Sequence, residues 1–202
     1  MHNISPEIED ETPVRRPAFS SGIPWWLPES GLPQYYLQGT GALICHTPCE
    51  VITVLGPCVA VTFFSARFHI ASICHCMLPA PAKGETPTAQ GAARWKYVSE
   101  AVPALSRHAR KLSSRPASVE VSLFGGSNLF HKDSSDDVGM ANVTLARELL
   151  ARDGFKINKF DVGGDTGRKI VFDMQTGVVR VQHFILSANK TSSKQAHGKS
   201  NA

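Results

Sequence analysis

The segment LGPCVAVTFFSARFHIASICHCM, residues 55–77, decides how we interpret the fold. It contains two β-branched and aromatic runs, Val59–Phe64 and His69–Met77, which are typical of strands. A turn at Ala66-Arg67 would fold them into a hairpin in which the numbers of paired residues sum to 133. Cys58 would then lie directly opposite His75. Directly opposed Cβ atoms are about 4.5–5.5 Å apart, which is close enough for a thiol to hydrogen-bond an imidazole.

A thiol beside an imidazole is what a cysteine hydrolase requires. A free cysteine is mostly protonated at neutral pH, and an adjacent imidazole can stabilise the thiolate and later protonate a leaving group. The developing oxyanion needs N–H donors. Pro57 has none, so we look to the N–H of Cys58. From the residues alone, a buried structural cysteine and a hydrogen-bonded core histidine remain the alternative interpretation.

Further strands and two helices surround the hairpin. Helical spacing of apolar residues predicts helices over Arg94–Leu112, with a kink or short first turn at Pro103, and over Val143–Arg152. The remaining predicted strands are Val51–Val54, Val119–Leu123, Lys156–Phe160, Lys169–Asp173 and Val178–Leu186. Strands outnumber helices, so we predict an α/β (α+β) protein with a layered arrangement.

Composition divides the chain into three parts. Residues 1–33 hold six of the 13 prolines and a run of acids, which predicts a mostly disordered arm, except for the apolar residues 23–27. Residues 34–186 have the composition of one folded domain. Residues 187–202 contain three lysines and no acid, which predicts a flexible basic tail.

Length and charge exclude several classes of protein. The net charge of the 202-residue chain is only +4 and is dispersed, which argues against nucleic-acid binding. No apolar run approaches the roughly 20 residues that span a bilayer, and the acidic N-terminus lacks the apolar core of a secretory signal. We therefore expect a cytoplasmic protein without membrane insertion. Its five cysteines are then expected to stay reduced.

Several motifs in chain order resemble the CheD family of chemoreceptor glutamine deamidases. The resemblance covers roughly residues 38–186 and keeps the seventeen-residue separation of Cys58 from His75. Its motifs are LGPCVAV (residues 55–61), HCMLP (75–79), FGGSNLF (124–130), VGMAN (138–142), DVGGDTGR (161–168) and TGVVRV (176–181).

The resemblance implies a fold, an activity and partners. The fold would be an α/β/β sandwich, and the activity would convert glutamine side chains of bacterial chemoreceptors to glutamate through a thioester. Cys58 would be the nucleophile and His75 the base and acid. Thr53 would orient the histidine or help bind substrate, although Ile52 could occupy that site and a plain strand threonine is the alternative. Partners would be the cytoplasmic helices of chemoreceptors, which form receptor arrays, and a CheC-type phosphatase; no cofactor or metal is expected.

Three departures from the family pattern leave other functions open. Pro57 stands where a serine is usual, Met140-Ala141 replaces a charged pair, and Ser99 replaces an acid. One alternative is a weakly active or inactive binding module that regulates a CheC-type phosphatase or scaffolds receptors. Another is a related hydrolase that acts on a different glutamine or on a methyl ester.

Other polar and thiol residues receive mainly structural interpretations. We expect Gly125-Gly126 to form a tight strand exit near the site and Arg168 to hydrogen-bond backbone carbonyls. Cys74 and Cys76 should lie on the face opposite His75, because successive strand residues alternate. Cys49 is followed by Glu50 at a predicted turn and is expected to be exposed. The Cys45-x-x-x-Cys49 spacing has no matching downstream pair of the kind found in zinc fingers.

Overall fold

A computed structural model describes residues 31–82, 84, 95–128 and 137–185. The arm before residue 31 and the tail after residue 185 lie outside the described residues, so the expectations for both remain untested. The described residues form nine strands and two helices. The strands are β1 (Gln34–Tyr36), β2 (Gly41–Ile44), β3 (Glu50–Leu55), β4 (Val59–Ser65), β5 (Ile70–Cys76), β6 (Glu120–Gly125), β7 (Ile157–Val162), β8 (Gly167–Asp173) and β9 (Val179–Phe184), and the helices are α1 (Val98–Leu112) and α2 (Val138–Arg152).

The strands form two sheets that pack face to face. One has the order β1-β3-β8-β9 and the other β2-β5-β4-β6-β7. Most neighbours are antiparallel, while β1 with β3 and β6 with β7 are parallel. The predicted α/β (α+β) class is confirmed: α1 and α2 cover the outer face of the five-stranded sheet, giving α/β/β layers.

Two apolar clusters hold these layers together. The cluster between the helices and the five-stranded sheet includes Val61, Phe63, Leu105 and Leu150. The cluster between the two sheets includes Leu55, Ala60, Ile73, Ile170 and Phe172. Strand alternation explains this division, because β4 and β5 are covered on both sides and send successive side chains into opposite clusters.

Helix boundaries differ from the prediction for local reasons. Helix α1 begins at Val98 rather than Arg94, because the preceding residues run beside 77–79 through hydrogen bonds from Met77 N and Leu78 N to Lys96 O. Helix α2 begins at Val138 rather than Val143. Its N-cap is Asp137, whose carboxylate accepts a hydrogen bond from Met140 N at 2.9 Å.

The short strands β1 and β2 were not predicted from the sequence. They have three and four residues, all of them only half-buried, so neither has a strong hydrophobic pattern. Each is fixed by pairing with a longer strand, β1 with β3 and β2 with β5. None of the helices in the described part of the chain is long and apolar enough to cross a membrane.

Candidate active site

Cys58 lies where the chain passes from one sheet to the other. Strand β3 ends at Leu55 in the four-stranded sheet, and β4 begins at Val59 in the five-stranded sheet. The backbone of the connection is fixed by hydrogen bonds from Gly126 N to Cys58 O (2.8 Å) and from Ser127 N to Gly56 O (2.9 Å). Cys58 is half-buried and packs against the cluster between the sheets.

The glycine pair after β6 makes this close approach possible. Gly125 and Gly126 have φ values of 102° and 68°, in the region that favours glycine. A Cβ on Gly125 would overlap the carbonyl oxygen of Cys58, and one on Gly126 would overlap Val143. The predicted tight strand exit is therefore confirmed, and it packs against the backbone carbonyl of Cys58, the candidate nucleophile.

The predicted pairing of Cys58 with His75 is wrong by two residues. Residues 66–68 form a 3₁₀ turn, and His69 follows in the left-handed region (φ 51°), so the connection is longer than a turn at Ala66-Arg67. Ala60 is the direct partner of His75, and Val59 pairs with Cys76. Cys58 is therefore displaced diagonally from His75. A shift of two residues preserves the face, so both side chains still point between the sheets.

His75 meets the predicted Thr53 across the space between the two sheets. Thr53 Oγ1 lies 2.7 Å from His75 Nδ1 and 2.6 Å from Leu37 O. Because a hydroxyl has one proton and a carbonyl can only accept, Thr53 donates to Leu37 and accepts from Nδ1–H. The imidazole then carries its proton on Nδ1. Its Nε2 keeps a lone pair, which is the arrangement a general base needs.

Burial keeps the resting pair of candidate residues uncharged. It lowers the pKa of His75 to about 4, although the neighbouring backbone of Leu37 raises it. Burial also raises the pKa of the Cys58 thiol, partly offset by the N–H of Cys58 itself. A neutral thiol and a neutral imidazole are therefore the resting forms, and charge separates only when the thiol proton moves to Nε2.

The Nε2 atom of His75 is buried and has no hydrogen-bond partner among the described residues. The hydrogen bond expected between the Cys58 thiol and the imidazole is therefore not formed in this structure. A Cβ placed on Gly39 would lie 3.7 Å from Nε2 and 3.1 Å from Met77 Sδ. Gly39 therefore lies beside the imidazole of His75, and its lack of a side chain leaves space next to Nε2. Met77, which lies next to Gly39, is an exposed apolar residue.

Asn142 is a site residue that the sequence interpretation missed. Its Nδ2 donates to Pro57 O at 2.9 Å and to Met77 O at 3.0 Å, and the side chain is fully buried. Those carbonyls belong to the residue before Cys58 and to the second residue after His75. One amide thus ties together the backbones that carry both candidate catalytic groups. The only available signal was its place in the VGMAN motif, residues 138–142.

Two backbone N–H groups close to Cys58 are excluded as donors to the oxyanion, because they already form hydrogen bonds within the protein. The N–H groups of Gly126 and Ser127 are already bonded to Cys58 O and Gly56 O. They cannot also point at a substrate oxygen. The N–H of Cys58, which approaches its own sulfur, stays a candidate donor for the oxyanion.

Arg168 holds together the loops next to the candidate site and makes no hydrogen bond to Cys58, His75 or Thr53 in the described part of the chain. Its guanidinium donates to Gly163 O (2.7 Å), Ser127 Oγ (2.6 Å) and Asp161 Oδ1 (2.7 Å). Although burial raises the pKa of the Asp161 carboxyl, hydrogen bonds from Arg168 and His183 outweigh that effect and lower it. The expectation that Arg168 bonds backbone carbonyls is confirmed.

The other four cysteines divide into two pairs. Cys74 and Cys76 are fully buried on the helix side of β5, opposite His75 as predicted. Cys45 and Cys49 lie between β2 and β3. The expectation that Cys49 is exposed is wrong: it is 1% exposed because it packs between the sheets, and Cys45 is the more accessible thiol.

Comparison with known proteins agrees with the fold and the motifs. Residues 77–183 match the model of the CheD family, described as chemotactic sensory transduction. A probable chemoreceptor glutamine deamidase CheD of Oleidesulfovibrio alaskensis is 36% identical over 180 residues, which cover 86% of this chain and 84% of the relative. A second such protein, from Geobacter sulfurreducens, is 34% identical, with 73% of this chain and 88% of the relative covered. One from Methanococcus maripaludis is 32% identical, with 69% and 88% covered.

The two kinds of match cover different parts of the site. The family model begins at residue 77 and so includes Asn142 and Arg168 but neither Cys58 nor His75. The match to the Oleidesulfovibrio protein covers 86% of 202 residues, and any continuous stretch of that length includes residues 53–75. The candidate catalytic residues therefore fall inside the region of similarity.

Proposed function

Because this chain belongs to the CheD family, we propose that it is a chemoreceptor glutamine deamidase that uses Cys58, His75 and Thr53. The relatives it matches are named probable chemoreceptor glutamine deamidases. The observation that carries the assignment of residues is the 2.7 Å contact between Thr53 Oγ1 and His75 Nδ1, with the Thr53 proton committed to Leu37 O. That contact leaves Nε2 as the free base on the face that Cys58 shares.

The first half of the proposed reaction releases ammonia. His75 Nε2 accepts the thiol proton as Cys58 Sγ attacks the side-chain carbonyl carbon of a glutamine, giving a tetrahedral oxyanion next to the Cys58 N–H. The carbonyl then re-forms as the C–N bond breaks, and Nε2–H gives its proton to the departing amine. The products of this half are ammonia and a thioester on Cys58.

The second half restores the enzyme. Nε2 takes a proton from a water molecule that attacks the thioester, and the C–S bond breaks to give a glutamate side chain. Cys58 sulfur recovers its proton from Nε2–H. Thr53 does not touch the substrate in this scheme. It is a positioning residue that keeps the ring oriented while the positive charge on the imidazole appears and disappears.

The proposed substrate is the cytoplasmic helical region of chemoreceptors, which would bring the protein to receptor arrays in the cytoplasm. A CheC-type phosphatase is proposed as a second partner that competes with receptors for one surface. The names of the related proteins support only the receptor as a partner. Competition between a CheC-type protein and a receptor fragment in a binding assay would test the second partner.

The test of the proposed function is a deamidation assay on receptor cytoplasmic fragments, read by peptide mass spectrometry. Wild-type protein should convert specific glutamines to glutamate, and Cys58→Ala and His75→Ala should not. Cys45→Ser is the matched control, because it removes a thiol far from His75 along the chain and should retain activity. Conversion by Cys58→Ala at the wild-type rate would overturn the mechanism. Tight receptor binding by a wild-type protein that converts nothing would identify a binding module instead.

A further inference from the structure

Two thiols outside the candidate active site are in direct contact. Cys45 follows the end of β2, Cys49 precedes the start of β3, and their Sγ atoms are 3.2 Å apart. Both are free cysteines. They lie at the start of β3, whereas the turn that carries Cys58 follows its end. The proposed deamidation uses neither of them.

The two thiols differ in access and in hydrogen bonding. Cys49 is buried between the sheets and also lies 3.6 Å from Met174 Sδ, whereas Cys45 is partly exposed. The Cys49 thiol is placed to donate to the sulfur of Cys45, and the Thr47 hydroxyl lies 3.5 Å from the same sulfur. The Cys45 thiol itself donates to Thr47 O at 2.9 Å. Cys45 is the member of the pair that solvent reaches, so it is the thiol that a small disulfide can meet first.

We propose that Cys45 and Cys49 form a redox-active dithiol that closes to an intramolecular disulfide by exchange with a low-molecular-weight disulfide. The Cys45 thiolate attacks one sulfur of the small disulfide, which breaks its S–S bond and releases one thiolate. Cys49, deprotonated, then attacks Cys45 Sγ and expels the second small thiolate. The two protein thiols lose two electrons and two protons, and the small disulfide becomes two thiols.

The geometry favours this pair over the other thiols. A disulfide bond is about 2.05 Å long, so the sulfurs at 3.2 Å need only a small side-chain movement to reach bonding distance. The connection from Cys45 to Cys49 is an irregular segment outside the strands, which can absorb that movement. Cys74 and Cys76 are fully buried within one strand, where no small disulfide can reach them.

The experiment uses the full chain in a series of reduced and oxidised glutathione ratios. After acid quenching, the remaining thiols are labelled with N-ethylmaleimide under denaturing conditions. Cleavage after glutamate separates Cys45 and Cys49 from Cys58, because Glu50 lies between them. The peptide that ends at Glu50 should lose both labels together and two hydrogens of mass. The next peptide, residues 51–85, contains Cys58, Cys74 and Cys76 and should keep all three labels.

Two variants assign the order of attack. Cys49→Ser should stop at a glutathione adduct on Cys45, and Cys45→Ser should leave Cys49 reduced. Three wild-type results would overturn the proposal: both thiols labelled even at the most oxidising ratio, a stable adduct on Cys45, or oxidation of Cys58 in preference to this pair. The wild-type measurement decides the question even if a variant does not fold. The result does not depend on whether the protein deamidates receptors.

Discussion

Replacing Thr53 by valine tests whether the contact between Thr53 and His75 is catalytic or only structural. Valine keeps the β-branched shape that suits strand β3 but removes the hydroxyl. The 2.6 Å bond to Leu37 O and the 2.7 Å bond to His75 Nδ1 are then both lost. Each buried polar group left without a partner costs about 1–3 kcal/mol, so the loss of two partners should lower the free energy of unfolding by about 2–6 kcal/mol.

The effect on catalysis follows from the orientation of the imidazole. Without the hydroxyl, the Nδ1–H of His75 loses the acceptor that orients the ring, so the direction of Nε2 is no longer fixed. A loss of about 1.4–2.8 kcal/mol of transition-state stabilisation lowers kcat about 10- to 100-fold. KM should change little, because Thr53 is buried and does not face the substrate. Thr53→Ser is the matched control: it keeps the hydroxyl, and its kcat should stay within about threefold of wild type.

Two measurements separate the interpretations. Deamidation of receptor fragments gives kcat and KM, and urea unfolding gives the loss of stability. NMR of ¹⁵N-labelled histidine reports which ring nitrogen carries the proton, and wild type should show Nδ1–H. A Thr53→Val protein with wild-type kcat and reduced stability would refute the positioning role. An Nε2–H tautomer in wild type would refute it independently.

Four further predictions concern Asn142, His75 and Gly39. Asn142→Ala should lower kcat and reduce the free energy of unfolding by about 2–4 kcal/mol, because the carbonyls of Pro57 and Met77 lose their shared buried donor. Alkylation of Cys58 by iodoacetamide should be slower in this variant, and Ala141→Ser, at an exposed neighbouring position, is the control. Unchanged alkylation and kcat in Asn142→Ala would contradict the prediction. The acid limb of kcat/KM should lie near the pKa of His75, about 4, because protonation of Nε2 below that pH removes the base; a limb near 6.5 would contradict the burial argument. The same lowered pKa means that the unfolded chain binds the proton more readily, so stability should fall as the pH drops from about 6.5 to about 4 in urea unfolding. Gly39→Ala should raise KM without unfolding the protein, because its methyl would lie 3.1 Å from Met77 Sδ beside Nε2; a wild-type KM would show that substrate does not pass this position.

Much of the architecture could be predicted from local pattern. The β-branched runs around 59–64 and 70–76, and the helical spacing before Leu112 and Arg152, were assigned correctly because their side chains are buried on regular faces. Short edge strands such as β1 have no such pattern, so they could not be found. The start of α2 was missed because Asp137, its N-cap, lies outside the apolar run that signals the helix.

The candidate site was predictable in part. The face shared by Cys58 and His75 follows from the period of two in a strand, and it survived a register error of two residues. The error arose because the left-handed conformation of His69 and the 3₁₀ turn before it are not encoded by an obvious turn signal. Cys49 was expected to be exposed because its neighbours look like a turn, but only the packing of the two sheets decides its burial.

The sequence by itself determined the layered class, the alternation that places His75 away from Cys74 and Cys76, and the motifs of a CheD chain. Tertiary structure alone decided which partners complete the site. Thr53 reaches His75 from the other sheet, and Asn142 reaches Pro57 from a helix 85 residues along the chain. These are hydrogen bonds of 2.7 and 2.9 Å between residues far apart in sequence. Such contacts produce no periodic pattern in the sequence, because they depend on how sheets and helices pack and not on the local conformational preferences of either residue.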